Sequence, residues 1–179
     1  NNLKNSNIGN SEEAREIIIN NMWGNYGRIL AEYMFLKQFK KNNFSQFLEV
    51  EGSEILKEIK INNEQVVFIS GHFNNFELMA MEIEKAGINL CAIYRPLNNP
   101  FLNGTRDLVN LFKEKFSVAL MIDQRVSEGE TVKFFNNPAK TTTMPAQLVK
   151  KYSCRIVPVY IERLRKHNFK LSFLNPIKF

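Results

Sequence analysis

Nothing in this chain approaches the ~18 consecutive apolar residues that a membrane-crossing helix requires, so these residues do not span a bilayer as a helix. Cysteine is scarce. Cys91 and Cys154 lie far apart, with no CxxC and no metal-ligand spacing, which excludes a disulfide scaffold and gives no metal site. Both sit in strand-like apolar runs, where a buried, inert thiol is expected, and a reducing environment fits. No signal-peptide pattern opens the chain. No Lys/Arg run is interleaved with aromatics as in a base-stacking surface, so nucleic acid is not expected as a partner.

What is present is ordinary globular composition, with 44% hydrophobic and 23% charged residues in a chain of 179. That length supports one domain, residues 1–179, with a single buried core. Basic residues outnumber acidic ones by 24 to 18, a net charge of +6. The excess suits an anionic partner: a membrane surface, a phosphorylated lipid or an acidic carrier protein. The chain opens without Met and stops in what reads as the middle of an element, so both ends are expected to be cut.

Asn10 to Glu13 has the form of a helix-entry box. Apolar residues at Ile18, Met22, Ile29, Tyr33 and Leu36 then predict one or two amphipathic helices over about 11–40, with a break at Gly24–Gly27. A weaker helical stretch is expected near 44–60. From Val66 the character changes to short apolar runs, Val66–Ile69, Leu90–Tyr94, Val118–Ile122 and Ile156–Ile161, of the kind that form strands buried on both faces. Helical patterns at Glu77–Ala86, Arg106–Lys115 and Pro145–Tyr152 lie between them. Such alternation predicts an α/β domain with a largely parallel central sheet flanked by helices, preceded by an N-terminal helical segment. Phe169–Phe173 is expected to form a hairpin with Ile156–Ile161 across the basic turn Arg163–His167.

The segment richest in chemistry is Ile69-Ser70-Gly71-His72-Phe73-Asn74-Asn75-Phe76-Glu77. A strand ends at Ser70 and a helix begins near Asn75, so polar groups gather at a strand's carboxyl end, where open α/β sheets place their ligands. An imidazole accepts a proton near neutral pH, and a carboxylate on its other nitrogen would fix the tautomer. Glu77 is five residues on. In one helix that spacing puts the side chains about 140° apart, but with His72 still in the turn the chain can bring them together. The spacing alone equally describes a strand-end His and a carboxylate complementing a helix dipole.

Gly71-His72-Phe73-Asn74-Asn75-Phe76-Glu77 resembles the His-x4-Asp/Glu motif of the glycerolipid-type acyltransferases, and its flanks are similar to the lipid A biosynthesis lauroyl/myristoyl acyltransferase branch. Tyr94-Arg95-Pro96-Leu97-Asn98-Asn99-Pro100, Met121-Ile122-Asp123-Gln124-Arg125, Val132-Lys133-Phe134-Phe135 with Pro138-Ala139, and Ile156–Tyr160 with Arg163 resemble that branch's later blocks, in order. The resemblance implies a glycerolipid acyltransferase-like fold. It implies transfer of an acyl chain from an acyl carrier protein thioester to a hydroxyl of a lipid A precursor, at the cytoplasmic face of the bacterial inner membrane. His72 would be the general base and Glu77 its orienting partner. Arg95 would meet a phosphate or the developing oxyanion. Asp123, Gln124 and Asn75 would line the cleft, Phe134 and Phe135 would meet the acyl chain, and Arg163 would touch the anionic lipid. Acyl carrier protein, a glycolipid acceptor and an anionic membrane surface are the implied partners. Neither a cofactor nor a metal is implied.

The chain departs from the family pattern in several places. Asn74 and Asn136 stand where Gly is usual, and Asn tolerates the positive φ such turns need. Phe76 replaces a common Trp, keeping an apolar anchor. Between Leu102 and Gly104 two blocks almost touch, as if about twenty residues were absent relative to the pattern of the resemblance, and the family's N-terminal anchor and C-terminal segment are also not among these residues. Two other readings therefore stand beside the first: an acyltransferase for another glycolipid, and an inactive membrane- or carrier-binding fragment.

Overall fold

The computed structural model of the chain describes residues 2–41, 44–92, 110–124, 126–127 and 129–178. In chain order the elements are helices α1 (Asn2–Asn5), α2 (Glu12–Tyr33) and α3 (Leu36–Lys40), strand β1 (Leu48–Glu51), α4 (Ser53–Ile61), β2 (Val66–Ser70), α5 (Glu77–Lys85), β3 (Leu90–Ala92), β4 (Ser117–Met121), β5 (Glu130–Phe134), β6 (Asn137–Thr141), α6 (Met144–Tyr152), β7 (Arg155–Arg163) and β8 (Phe169–Phe173).

Six strands form one sheet in the order β1-β8-β7-β2-β4-β3, with β5 and β6 making a separate hairpin. Every neighbouring pair in the large sheet is parallel except β7 with β8. This is the expected α/β architecture, and the antiparallel β7–β8 pair is the expected hairpin. Alternate side chains of β2 leave on opposite faces. Val66 and Phe68 enter a core with Phe39 of α3, Ile55, Leu56 and Ile59 of α4 and Leu78, Met79 and Ile83 of α5. Val67 enters a second core with Val118 and Leu120 of β4, Leu148 and Val149 of α6, and Phe112. The sheet is therefore sandwiched between two helical layers, which is why its central strands read as unbroken apolar runs.

Three expectations are corrected. The N-cap of α2 is Ser11, whose hydroxyl accepts from the Ala14 N–H at 3.1 Å, so the helix is capped one residue later than Asn10 and, with Ala14 three residues on, without the expected box. The predicted break at Gly24–Gly27 does not occur, and α2 runs through both glycines for 22 residues. A glycine inside a helix costs only about 1 kcal/mol, and Asn25 and Glu32, on either side of Gly27, are both tied to Arg163. The stretch near 44–60 is not one helix. It is a 3-10 turn, then β1, then α4. β1 has only four residues alternating half-buried and exposed, and it becomes a strand by pairing in parallel with β8. Gly52 makes the following corner possible. Its φ is +76°, and a Cβ there would lie 2.1 Å from the Phe173 carbonyl oxygen.

Helix α2 is held to the body by few contacts, with Ile29 its one buried residue among those described. Ile19, Met22, Trp23, Tyr26, Leu30 and Tyr33 follow helical spacing along one face, and all six are exposed. No helix among the described residues is long and apolar enough to cross a membrane.

Candidate active site

Strand register builds the site. β2 and β4 run parallel with Ser70 opposite Met121, and the Ile122 N–H extends the ladder to the Ser70 carbonyl at 2.9 Å. Two residues beyond each strand's paired end, His72 and Asp123 therefore come out side by side. The contact has two points. Asp123 Oδ2 accepts from the His72 backbone N–H at 2.7 Å, and Asp123 Oδ1 lies 2.7 Å from His72 Nδ1.

The proton positions in this cluster follow from the carboxylate. Burial raises the Asp123 carboxyl, but the hydrogen bonds from the His72 backbone and ring together outweigh it and hold Asp123 below the usual carboxylate range. An ionised carboxylate can only accept. His72 Nδ1 therefore carries a hydrogen, and in the neutral ring Nε2 holds the lone pair. Gln124 fits that assignment, with its amide nitrogen 3.2 Å from Nε2 as donor. The His72 side chain retains 33% of its accessible surface and Asp123 40%, so the cluster is open to an incoming molecule. Phe76 packs edge-on against the imidazole, ring centroids 4.9 Å apart.

Glu77 begins α5 and accepts from the Tyr33 hydroxyl of α2 at 3.4 Å. Burial first, then the Glu77 carboxylate, pushes the Tyr33 phenol above its ordinary value, so it remains a donor. Both ring nitrogens of His72 are thus engaged by the 123–124 segment, and the expected His72–Glu77 hydrogen bond is not among the contacts of the described residues.

Asn75 and Arg163 meet each other's partner. Asn75 is 1% exposed and donates through Nδ2 to Glu32 Oε2 at 3.2 Å. Arg163 donates from two guanidinium nitrogens to the two oxygens of the same carboxylate, from Nε to Asn25 Oδ1 at 3.0 Å, and lies over the Phe169 ring at 4.5 Å. These two side chains join the site loop and β7 to α2. Nothing local in the sequence marked Glu32, Asn25 or Tyr33 for these roles, because their partners are 43 to 138 residues away.

The β5–β6 hairpin carries Phe134 and Phe135 at its tip, 65% and 53% exposed, with rings edge to face at 4.7 Å. The two turn residues, Phe135 and Asn136, have φ of +48° and +60°, the signature of a tight type I′ turn. Asn74 in the His72 loop is also left-handed, at +46°, so both Asn-for-Gly positions carry the backbone expected of them. Arg95 and Arg125 lie outside the described residues. Cys91 and Cys154 are free and partly buried, and burial raises both thiols. Among the described residues no group of three or more His, Cys, Asp or Glu is placed to hold a metal ion.

The sequence pattern of the family described as bacterial lipid A biosynthesis acyltransferase matches the chain over residues 2–106 and 103–179. The two matched segments meet beside the Leu102–Gly104 junction. Lipid A biosynthesis acyltransferase 2 of Shigella flexneri is 28% identical over 93 residues, which are 52% of this chain and 30% of that protein. The chain thus matches less than a third of that relative's length.

Proposed function

The chain belongs to the bacterial lipid A biosynthesis acyltransferase family, and from that membership we propose that it moves a fatty acyl chain from an acyl carrier protein thioester to a hydroxyl of a lipid A precursor. The observation that carries the reading is the imidazole of His72, held at the carboxyl edge of the sheet with Nε2 as its acceptor. In the proposed step the acceptor hydroxyl displaces the Gln124 amide from Nε2 and gives up its proton as its oxygen attacks the thioester carbonyl. Collapse of the tetrahedral intermediate breaks the C–S bond, and the carrier thiolate leaves with the proton from His72. The products are an ester and a free carrier thiol. General-base help of this kind contributes about 10²–10⁴-fold.

The His-x4-Glu pattern assigns Glu77 to the same reaction, from the first turn of α5. Arg95 is proposed to face the oxyanion or a phosphate, and Phe134 and Phe135 the acyl chain. The net charge of +6 suits an acidic carrier and an anionic bilayer. The exposed Trp, Tyr and aliphatic stripe of α2 supports docking at the cytoplasmic face of the inner membrane, since such rings favour the headgroup level. Tyr33 belongs to that stripe and reaches Glu77, so the proposed membrane face adjoins the site.

The test is transfer from a panel of acyl carrier protein thioesters to a lipid A precursor, comparing the chain with His72→Ala, both verified as folded. A loss of two or more orders of magnitude is expected, and equal turnover would remove His72 from the mechanism. The abutting matches at 103–106 favour one second reading, a carrier- or membrane-binding fragment without turnover. Binding by a folded chain that transfers nothing, with turnover restored by supplying a segment of about twenty residues at that junction, would establish it. A change of acceptor separates lipid A precursors from other glycolipids.

A further inference from the structure

We infer that Asn75 is a positioning residue, a buried strut that ties the His72 loop to Glu32 of helix α2 and so holds the imidazole where the reaction needs it. The inference rests on the reading of His72 as the base and goes beyond it, because Asn75 works from behind the loop and not from the cleft.

The loop between β2 and α5 does little to hold itself. Asn74 is left-handed at φ +46°, and the one backbone bond closed within residues 71–76, among those described, runs from the Phe73 N–H to the Gly71 carbonyl at 2.7 Å. Other elements supply further holds. The Asn74 side chain donates to the Ile161 carbonyl of β7 at 3.2 Å, and the Phe73 ring meets Tyr160 at 5.0 Å. Asn75, three residues from His72, reaches α2 and donates to Glu32 Oε2 at 3.2 Å. That carboxylate is itself fixed, since Arg163 holds both of its oxygens. Tyr33, the next residue of α2, donates to Glu77 where α5 begins. Two adjacent residues of one helix therefore grip the far end of the loop.

The chemistry of Asn75 points to function over stability. Its side chain is 1% exposed, and its carbonyl oxygen is buried without a hydrogen-bond partner among the described residues. The desolvation penalty of such an acceptor is comparable to what a hydrogen bond to a carboxylate returns. The carboxamide thus adds little net stability, and a branched apolar side chain would serve the core as well. What that side chain could not do is donate to Glu32. The polar group is kept for the direction it gives the loop.

Asn75→Leu separates the two roles, because it keeps the branch, removes the unanswered oxygen and leaves Glu32 paired with Arg163. Its urea midpoint is expected at or above the wild-type value. The kcat for transfer from an acyl carrier protein thioester to a lipid A precursor should fall about 10²-fold, the cost of misplacing the site by about 1 Å, with KM for either substrate little changed. Amide exchange reads the loop without substrate. The N–H groups of His72, Leu78 and Met79, bonded to Asp123, Asn75 and Phe76, should exchange about tenfold faster or more, and those of β2 and β4 at the wild-type rate. Asn75→Ala, small enough for the same space, is expected to follow the same pattern and serves if the leucine variant does not fold. A midpoint that falls in step with turnover, with exchange faster throughout the sheet, would make Asn75 an ordinary structural residue and overturn the inference. So would turnover and loop exchange both left at wild-type values. If the loop loosens as expected but even the wild-type chain transfers no acyl group, the acyltransferase reading fails and the strut stands.

Discussion

Arg163 on β7 grips both carboxylate oxygens of Glu32 on α2, at 2.5 and 3.0 Å. The side chains keep only 10% and 16% of their accessible surface, and Asn75 of the His72 loop donates to the same carboxylate. Through this one pair the long N-terminal helix, a core strand and the site loop hold one another. Removing one partner leaves a largely buried charge unanswered. Arg163→Met is expected to cost about 3 kcal/mol in a urea titration. The double change with Glu32→Leu should cost clearly less than the two singles added. Strict additivity would mean the pair is uncoupled.

Asp123 should leave a signature in acid. Its folded-state pKa is lowered, so the stabilisation it provides is fully present above the unfolded value of ~3.9 and is lost as pH falls through the folded value. The stability difference between the wild-type chain and Asp123→Asn should therefore be greatest near neutrality and shrink below about pH 4. Denaturation midpoints measured from pH 7 down to pH 3 check this. A difference that grows toward acid would contradict the depressed pKa.

The hairpin tip carries a conformational cost. Phe135 sits at φ +48° with an exposed ring, where a bulky residue is disfavoured. Phe135→Gly is expected to raise stability by about 1 kcal/mol while lowering transfer of long acyl chains, because the ring proposed to meet them is gone. Thermal melts and a chain-length panel report the two effects separately. A glycine variant that gained stability and kept full long-chain transfer would remove Phe135 from the acyl site.

Trp23 is the chain's single tryptophan and lies on the exposed stripe of α2, so its fluorescence reports what covers that face. Vesicles containing anionic lipid should shift its emission to the blue, neutral vesicles less so, and Leu30→Asp should weaken the binding at least tenfold. An emission spectrum unmoved by anionic vesicles would exclude the stripe as the membrane face.

By itself the sequence determined what short windows can encode. The apolar runs at Val66, Val118 and Ile156 are continuous because helices cover both sheet faces, and β2, β4 and β7 lie over those runs, differing only at their ends. The spacing after Ser70 was enough to place His72 in a loop between strand and helix, and Asn74 and Asn136 already carried the left-handed turns in their chemistry. Other features belong to no window. β1 is a strand only because β8 pairs with it, and α2 runs through Gly24 and Gly27 because Glu32 and Asn25 meet Arg163 more than 130 residues later. The same holds for the carboxylate beside His72. No local spacing links Asp123 to His72, and the parallel register of β2 and β4 delivers it from 51 residues away. Local patterning reports which side chains leave the water. Which two polar groups then face each other is set by how the strands align, and that alignment exists only once the sheet has formed.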